Sequence, residues 1–362
     1  MASGNIPTVG AAAEHQVELL PQGQRVVLHV GLPKTGTTSI QVFLADNRDE
    51  LAAKGFFFPI LKETESTLVG YHTDLLRALH TRHCNGDSER VIEKWQVAID
   101  SFLDSETLHT FIISHESFSL AHRSIDFRRL SEMFRGLAVE IVVYLRTAED
   151  WITSLYEQGV RSPRERCALL PSEFPGVRRY VKFGFEGILK DLQLCFPMAT
   201  FHVIGFDSVK KAPGIVPAFL EAINGPQMGR TAAPKNERLT TSQVAVLRAL
   251  NEKGVDAKLF ADVARSMRGA NMRFPNNKTE RVSILGGDLR ADVAARFVED
   301  SAYVKEMYGV SLPRQQDLVA GGDAAMRLTA DKIDEVLRDL MAIARFRKSD
   351  AANILRSLKE PC

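Results

Sequence analysis

The stretch Arg25–Gln41, RVVLHVGLPKTGTTSIQ, decides how this chain is read. Arg25 to Val30 is rich in β-branched and aliphatic residues, which reads as a short strand, and Gly31 ends it at once. A polar turn follows. From Ile40 onward apolar residues recur at Phe43, Leu44 and Leu51, the spacing of one helix face. The sequence therefore predicts strand, glycine-bracketed loop, helix. Gly31 and Gly36 permit a tight turn that aims consecutive backbone N–H groups inward at an anion. The start of the following helix adds N–H groups without intrahelical acceptors and the positive end of a dipole. Thr37, Thr38 and Ser39 place hydroxyls in that first turn, and Lys34 adds a mobile cation.

The loop is not the common nucleotide triphosphate loop. That motif is GxxxxGK[ST], with lysine directly after the second glycine. Here Thr37 follows Gly36, and Lys34 stands two positions before it. The clearest strand in the chain, Glu140–Leu145 (EIVVYL), ends in Arg146 and not in an aspartate placed to hold magnesium. The pattern predicts a nucleotide phosphate site with no obligatory metal.

Outward from the loop, strand and helix signals alternate. Phe56–Phe58, Phe111–Ile113, Glu140–Leu145 and Thr200–Ile204 read as strands. Val91–Leu103, Arg128–Phe134, a segment from about Ala148, and Val216–Ile223 read as helices. This alternation over roughly 25–225 implies an α/β unit with a mainly parallel sheet. Beyond Leu239 the pattern is helical at Val244–Leu250, Leu289–Tyr308 and Ala330–Ile343, with Gly269–Arg281 expected as a polar loop. The expected organisation is a flexible leader over 1–22, an α/β core over 23–235, and a mostly helical region over 236–362. That last region either packs on the core or contributes to an acceptor site.

A second segment, EIVVYLRTAEDWITSLYEQ, delivers Arg146 at a strand end, where open α/β sheets place their ligands. Thr147 is expected to cap the next helix, with Asp150 as its reciprocal acid. Ser154 follows two turns later on about the same face, so Arg146 and Ser154 can converge on one phosphate.

These two segments resemble the PAPS-dependent sulfotransferases, in the style of bacterial carbohydrate sulfotransferase-like proteins (PAPS is 3′-phosphoadenosine 5′-phosphosulfate). GLPKTGTTSIQ resembles the family's 5′-phosphosulfate loop, and Arg146 with Ser154 resembles its 3′-phosphate site. The resemblance implies a P-loop-containing nucleotide-binding fold. It also implies PAPS as donor, leaving PAP (3′-phosphoadenosine 5′-phosphate), and in-line transfer without a metal to a hydroxyl of a carbohydrate, glycolipid or similar acceptor. Gly31, Pro33, Lys34, Thr35, Gly36, Thr37, Thr38, Ser39, Arg146 and Ser154 would hold the donor, with Lys34 on the bridging oxygen. Where many relatives carry aspartate and proline after the arginine, this chain has Thr147 and Ala148.

Transfer to a hydroxyl benefits from a general base. Three candidates stay open: His115 and Glu116 in FIISHESFS, and His72 in VGYHTDLL. Neighbours on an extended chain face opposite ways, so only one of His115 and Glu116 is expected to reach an acceptor. The basic run Arg161, Arg164, Arg166, Arg178, Arg179 and Lys182 reads either as a surface toward an anion or as a solvated face. Asn236 and Arg238 precede a helix that Thr240 or Thr241 would cap. Two other readings stand beside sulfuryl transfer: a small-molecule kinase with an atypical loop, and a non-catalytic nucleotide-binding relative.

Composition constrains the rest. Apolar residues at 45% and charged residues at 25% are ordinary for a globular protein, and a net charge of +1 gives no global attraction for nucleic acid. Cys84, Cys167, Cys195 and Cys362 are too scattered for a metal or redox pair. No apolar run approaches a membrane span, and residues 1–21 lack a signal-peptide pattern. A cytoplasmic protein without integral membrane contact is the expectation.

Overall fold

A computed structural model of the chain describes residues 23–61, 72–81, 86–120, 124–228, 239–273, 282–314, 319–341 and 350–358. Its centre is a five-stranded sheet of β1 (Arg25–Gly31), β2 (Phe56–Phe57), β3 (Thr110–Ser114), β4 (Ala138–Leu145) and β5 (Thr200–Gly205). The spatial order is β2-β3-β1-β4-β5, and every neighbouring pair is parallel.

Parallel neighbours need crossovers, and helices supply them. α1 (Thr37–Asp46) and α2 (Arg48–Ala52) follow β1. α3 (Thr73–Ala78) and α4 (Gly86–Leu103) precede β3. α5 (Ser117–Leu120) and α6 (Phe127–Met133) lead to β4, and α7 (Ala148–Arg161) and α8 (Pro175–Cys195) lead to β5. α9 (Phe206–Val209) and α10 (Ile215–Ala222) close this part. Because strand side chains alternate, β1 serves two cores. Val26, Leu28 and Val30 pack with Trp95, Ile99 and Phe102 of α4 and Trp151, Ile152 and Tyr156 of α7. Val27 faces the other way, with Ile40, Phe43 and Leu44 of α1 and Phe219 of α10. At about 1.5–3 kcal/mol per buried aliphatic or aromatic side chain, both faces stabilise the sheet strongly.

The topology fixes where a site can lie. From β1 the chain runs toward β3 and β2, and it then returns past β1 to β4. α1 and α7 thus cover opposite faces of the sheet. The β1–β4 gap is the point where strand order reverses, the usual ligand crevice of open parallel sheets.

The remaining helices are α11 (Thr241–Glu252), α12 (Ala257–Arg273), α13 (Gly287–Tyr308), α14 (Gly322–Met326), α15 (Ala330–Met341) and α16 (Asp350–Ser357). A two-residue parallel pair joins β6 (Val282–Ser283) to β7 (Val319–Ala320). Their apolar faces join the α4–α7 core, so this region packs on the sheet layer. Thr240 caps α11 in a reciprocal capping box with Gln243. Asn236 and Arg238 lie outside the described residues. Among the described residues no helix is long and apolar enough to cross a membrane.

Two helices go beyond the sequence reading. α8 breaks at Gly184, whose φ of 59° and ψ of −167° interrupt the apolar period. Buried Asp300 of α13 caps the resumed helix by accepting from the Phe185 and Glu186 N–H groups at 3.0 Å each. α12 extends to Arg273, so the expected loop from Gly269 begins as helix. Phe260, Val263, Ala264 and Met267 bury its inner face. Residues 274–281 of that expected loop lie outside the described residues.

Candidate functional site

The loop after β1 is held from four sides. The Leu32 N–H donates to the Tyr144 carbonyl of β4 (3.4 Å), and the Trp151 indole N–H donates to the Pro33 carbonyl (3.1 Å). Arg146 donates to the Lys34 carbonyl (3.1 Å), and the Thr35 hydroxyl closes the turn on the Leu32 carbonyl. Gly31 and Gly36 have φ of 84° and 88°, a region L side chains rarely adopt. Space requires them as well. A Cβ on Gly31 would stand 2.7 Å from the Glu116 Cα, and one on Gly36 would stand 2.6 Å from the Ile215 side chain. Lys34 itself takes φ 66°, a strained conformation that aims its carbonyl at Arg146.

Among the described residues, the backbone N–H groups of Gly36, Thr37 and Thr38 meet no acceptor. These are the first-turn donors that a helix cannot satisfy internally. They border a cavity of about 460 Å³ lined by Lys34, Thr37, Thr38, Ser39, Glu116, Gln158, Arg161, Ala261, Ala264, Arg265 and Arg268 among others. Four regions therefore build one cavity: the loop after β1, the turn after β3 that carries Glu116, the end of α7, and α12 of the C-terminal part.

Lys34 is half-buried, and its pKa is lowered to about 8. Burial is the main cause, and Arg161 adds to it, opposed by Glu157 and Glu116. The Glu116 carboxyl is shifted upward by burial, partly offset by Lys34. At neutral pH the lysine still carries most of its proton, while the glutamate is a stronger base than an exposed carboxylate.

The three candidate bases separate clearly. Glu116 lines the cavity. His115, its neighbour, turns away: Nδ1 accepts from the Ser117 N–H (3.0 Å) and Nε2 stands 3.2 Å from the Thr73 hydroxyl. Burial, with a contribution from Arg77, lowers the His115 pKa to about 4. His72 is fully buried between Phe58 and Trp95. Its Nδ1 accepts from the Ser114 N–H (3.0 Å) and its Nε2 donates to the Pro59 carbonyl (2.9 Å). Both ring nitrogens of His72 are thus engaged by backbone groups, and it does not line the cavity.

Arg146 and Ser154 do meet, with Arg146 donating to the Ser154 hydroxyl at 3.3 Å. They meet inside the protein, however, each only 8% exposed. Arg146 also pairs with Asp150 (3.6 Å), lies over the Phe206 ring and props the Lys34 carbonyl. Neither residue lines the cavity. The expected capping box at Thr147 is absent as well. Its hydroxyl donates to Asp150 at 3.3 Å, because Asp150 is already drawn toward Arg146, and Asp207 accepts the Thr147 N–H instead.

No family model matches this chain, and no curated protein matches it.

The site is thus described by its own chemistry. It pairs an anion-ready helix start and a depressed-pKa lysine with a raised-pKa carboxylate across one cavity. Among the described residues no group of three His, Cys, Asp or Glu side chains gathers as a metal site. Of the basic run, Arg161 lines the cavity. Arg166 instead binds Asn251 (3.0 Å) and covers the Phe260 ring, fastening the loop after α7 to α11 and α12. Arg265 and Arg268 of α12 are site residues that the sequence reading does not single out, because basic residues on a helix face read as ordinary surface. The spacing Phe260, Val263, Ala264, Met267 carries the helical signal of α12 itself.

Proposed function

We propose that the chain is a sulfotransferase of the P-loop-containing nucleotide-binding type, moving the sulfuryl group of PAPS to a hydroxyl acceptor, with a carbohydrate or glycoconjugate as the preferred class. The observation that carries this reading is the cavity that places Lys34, the free first-turn N–H groups and Glu116 together. The sheet order and the loop at its reversal point support it. The donor chemistry fits the residues: a phosphosulfate needs several N–H and hydroxyl donors and one cation, which Lys34 to Ser39 supply.

In this reading the loop N–H groups and the Thr37 and Thr38 hydroxyls hold the 5′ end of the donor. Glu116 takes the proton of the acceptor hydroxyl as that oxygen bonds to sulfur. Lys34 places its ammonium at the bridging oxygen, whose bond to sulfur breaks and which departs with PAP. The acceptor's proton ends on Glu116, and the developing negative charge ends beside Lys34. The donor supplies the activated sulfuryl group, and no metal is asked for.

One observation favours a second reading, a small-molecule kinase. Glu116 follows β3, the strand beside β1, and its carboxylate faces the loop, a place from which an acid could hold magnesium. Calorimetry with PAP, AMP and magnesium-ATP separates the two. Sulfuryl transfer expects PAP to bind at least tenfold more tightly than AMP, with no advantage for magnesium-ATP. Equal affinity for PAP and AMP sinks the donor assignment.

A further inference from the structure

We propose that Arg161, Arg265 and Arg268 form a second anion subsite in the cavity, across from the phosphate-type loop, which takes a phosphate, sulfate-ester or carboxylate group of a bound molecule. The proposal uses the sulfotransferase reading only to name the sources of that group.

The placement comes from two helices. On α12, Ala261, Ala264, Arg265 and Arg268 fall at i, i+3, i+4 and i+7, one face of the helix, and all four line the cavity. The two alanines keep the wall low, so the arginine forks can reach over it. On α7, Ser154, Gln158 and Arg161 form a similar row. Its Ser154 end is closed on Arg146, while its Arg161 end opens into the cavity.

Charge gives the same answer. Lys34, Arg161, Arg265 and Arg268 line the cavity against a single carboxylate, Glu116. Arg265 pairs with Asp262 at 3.0 Å, an exposed contact one turn away on the same helix, which water competes for readily. Glu157 stands near Arg161 and Lys34 and opposes the downward shift of both. Arg161 is held below its usual range mainly by burial and further by Arg268, as expected for guanidinium groups facing each other across a partly dry space. A concave site with this excess of cations concentrates anions. Arginine forks suit oxyanions because each offers parallel N–H donors.

The contrast with Arg146 strengthens the case. A ligand such as PAPS carries a second phosphate beyond the group on the loop. The Arg146–Ser154 pair is buried against the Lys34 carbonyl and Asp150 and does not line the cavity. The three cavity arginines face open space instead. The group they hold has two possible sources: the donor's 3′-phosphate or an anionic group on the acceptor.

The test compares wild type with the double variant Arg265→Gln/Arg268→Gln, using calorimetry with PAP, with AMP, and with a sulfated hexasaccharide on both PAP-loaded and ligand-free protein. A loss of about tenfold or more in PAP affinity, with AMP unchanged, supports the subsite and assigns it to the donor. A similar loss for the saccharide, with PAP unchanged, supports it and assigns it to the acceptor. PAP and saccharide affinities both within twofold of wild type overturn the subsite while leaving the donor reading standing. If wild type binds neither PAP nor AMP, the donor reading fails, and the saccharide titration of ligand-free protein still decides the subsite. Arg265→Lys/Arg268→Lys keeps the charge and should restore most of the binding; a thermal melt of each variant separates a lost site from a lost fold.

Discussion

Two places on this molecule carry the residues of an oxyanion site, and the structure treats them in opposite ways. At the β1 loop, the N–H groups of Gly36, Thr37 and Thr38 face a cavity with no acceptor among the described residues, and Lys34 stands beside them. At the end of β4, Arg146 donates to the Lys34 carbonyl and the Ser154 hydroxyl, pairs with Asp150, and is nearly sealed from solvent. Residue types alone make these two equivalent anion sites. Geometry opens the first to a cavity and turns the second toward the backbone of the loop itself. The same division separates Glu116, which faces the cavity, from His115 and His72, whose ring nitrogens are occupied by the protein.

This contrast can be broken most forcefully at Glu116. Glu116→Gln keeps the shape and removes the proton acceptor, so turnover should fall by about 10²–10⁴-fold while PAP affinity stays within about twofold. Steady-state rates and calorimetry on one preparation check both halves. The supporting role of Arg146 is tested by stability. Arg146→Ala strands Asp150 and the Lys34 carbonyl, and urea unfolding should show a loss on the order of 3 kcal/mol. Lys34→Ala, by contrast, should stay within about 1 kcal/mol of wild type. An Arg146→Ala protein as stable as wild type would mean that the arginine is not a strut.

The pH profile sharpens the comparison further. Burial and Arg161 lower the Lys34 pKa to about 8, so its charged form is lost as pH rises through that value. kcat/KM should therefore drop toward a tenfold loss per unit above about pH 8, and Lys34→Arg should remove that limb. In the proposed reaction the acid limb should come from Glu116 and lie higher than for an exposed carboxylate, because burial raises its pKa. The smallest effect is expected at His115, where His115→Asn should leave turnover within about threefold. A large loss there would return the histidine to the chemistry.

Much of the fold was legible because its signals are local. β1, β3, β4, β5, α4, α7 and α10 all appear in the apolar periodicity of their own residues. Side-chain availability was not legible. Nothing in the order of residues shows that Arg146 would turn to the Lys34 carbonyl, a partner 112 positions away. Nor does it show that His72 would be wedged between Pro59 and Ser114. The cavity's far wall was lost for a different reason. α12 has a clear helical spacing, but its basic face, Arg265 and Arg268, reads as ordinary surface until Arg161 is seen opposite. The break at Gly184 hid α8 by splitting one apolar pattern into two short ones.

The most direct test of the account is transfer of a radiolabelled sulfuryl group from PAPS to a panel of oligosaccharides and simple alcohols, by wild type and by Lys34→Ala. The account predicts labelled product from wild type, and a rate about 10²–10³-fold lower from the variant with PAP affinity reduced by less than about tenfold. Equal rates from the two proteins, or phosphoryl transfer from magnesium-ATP with no sulfuryl transfer to any hydroxyl, would contradict it.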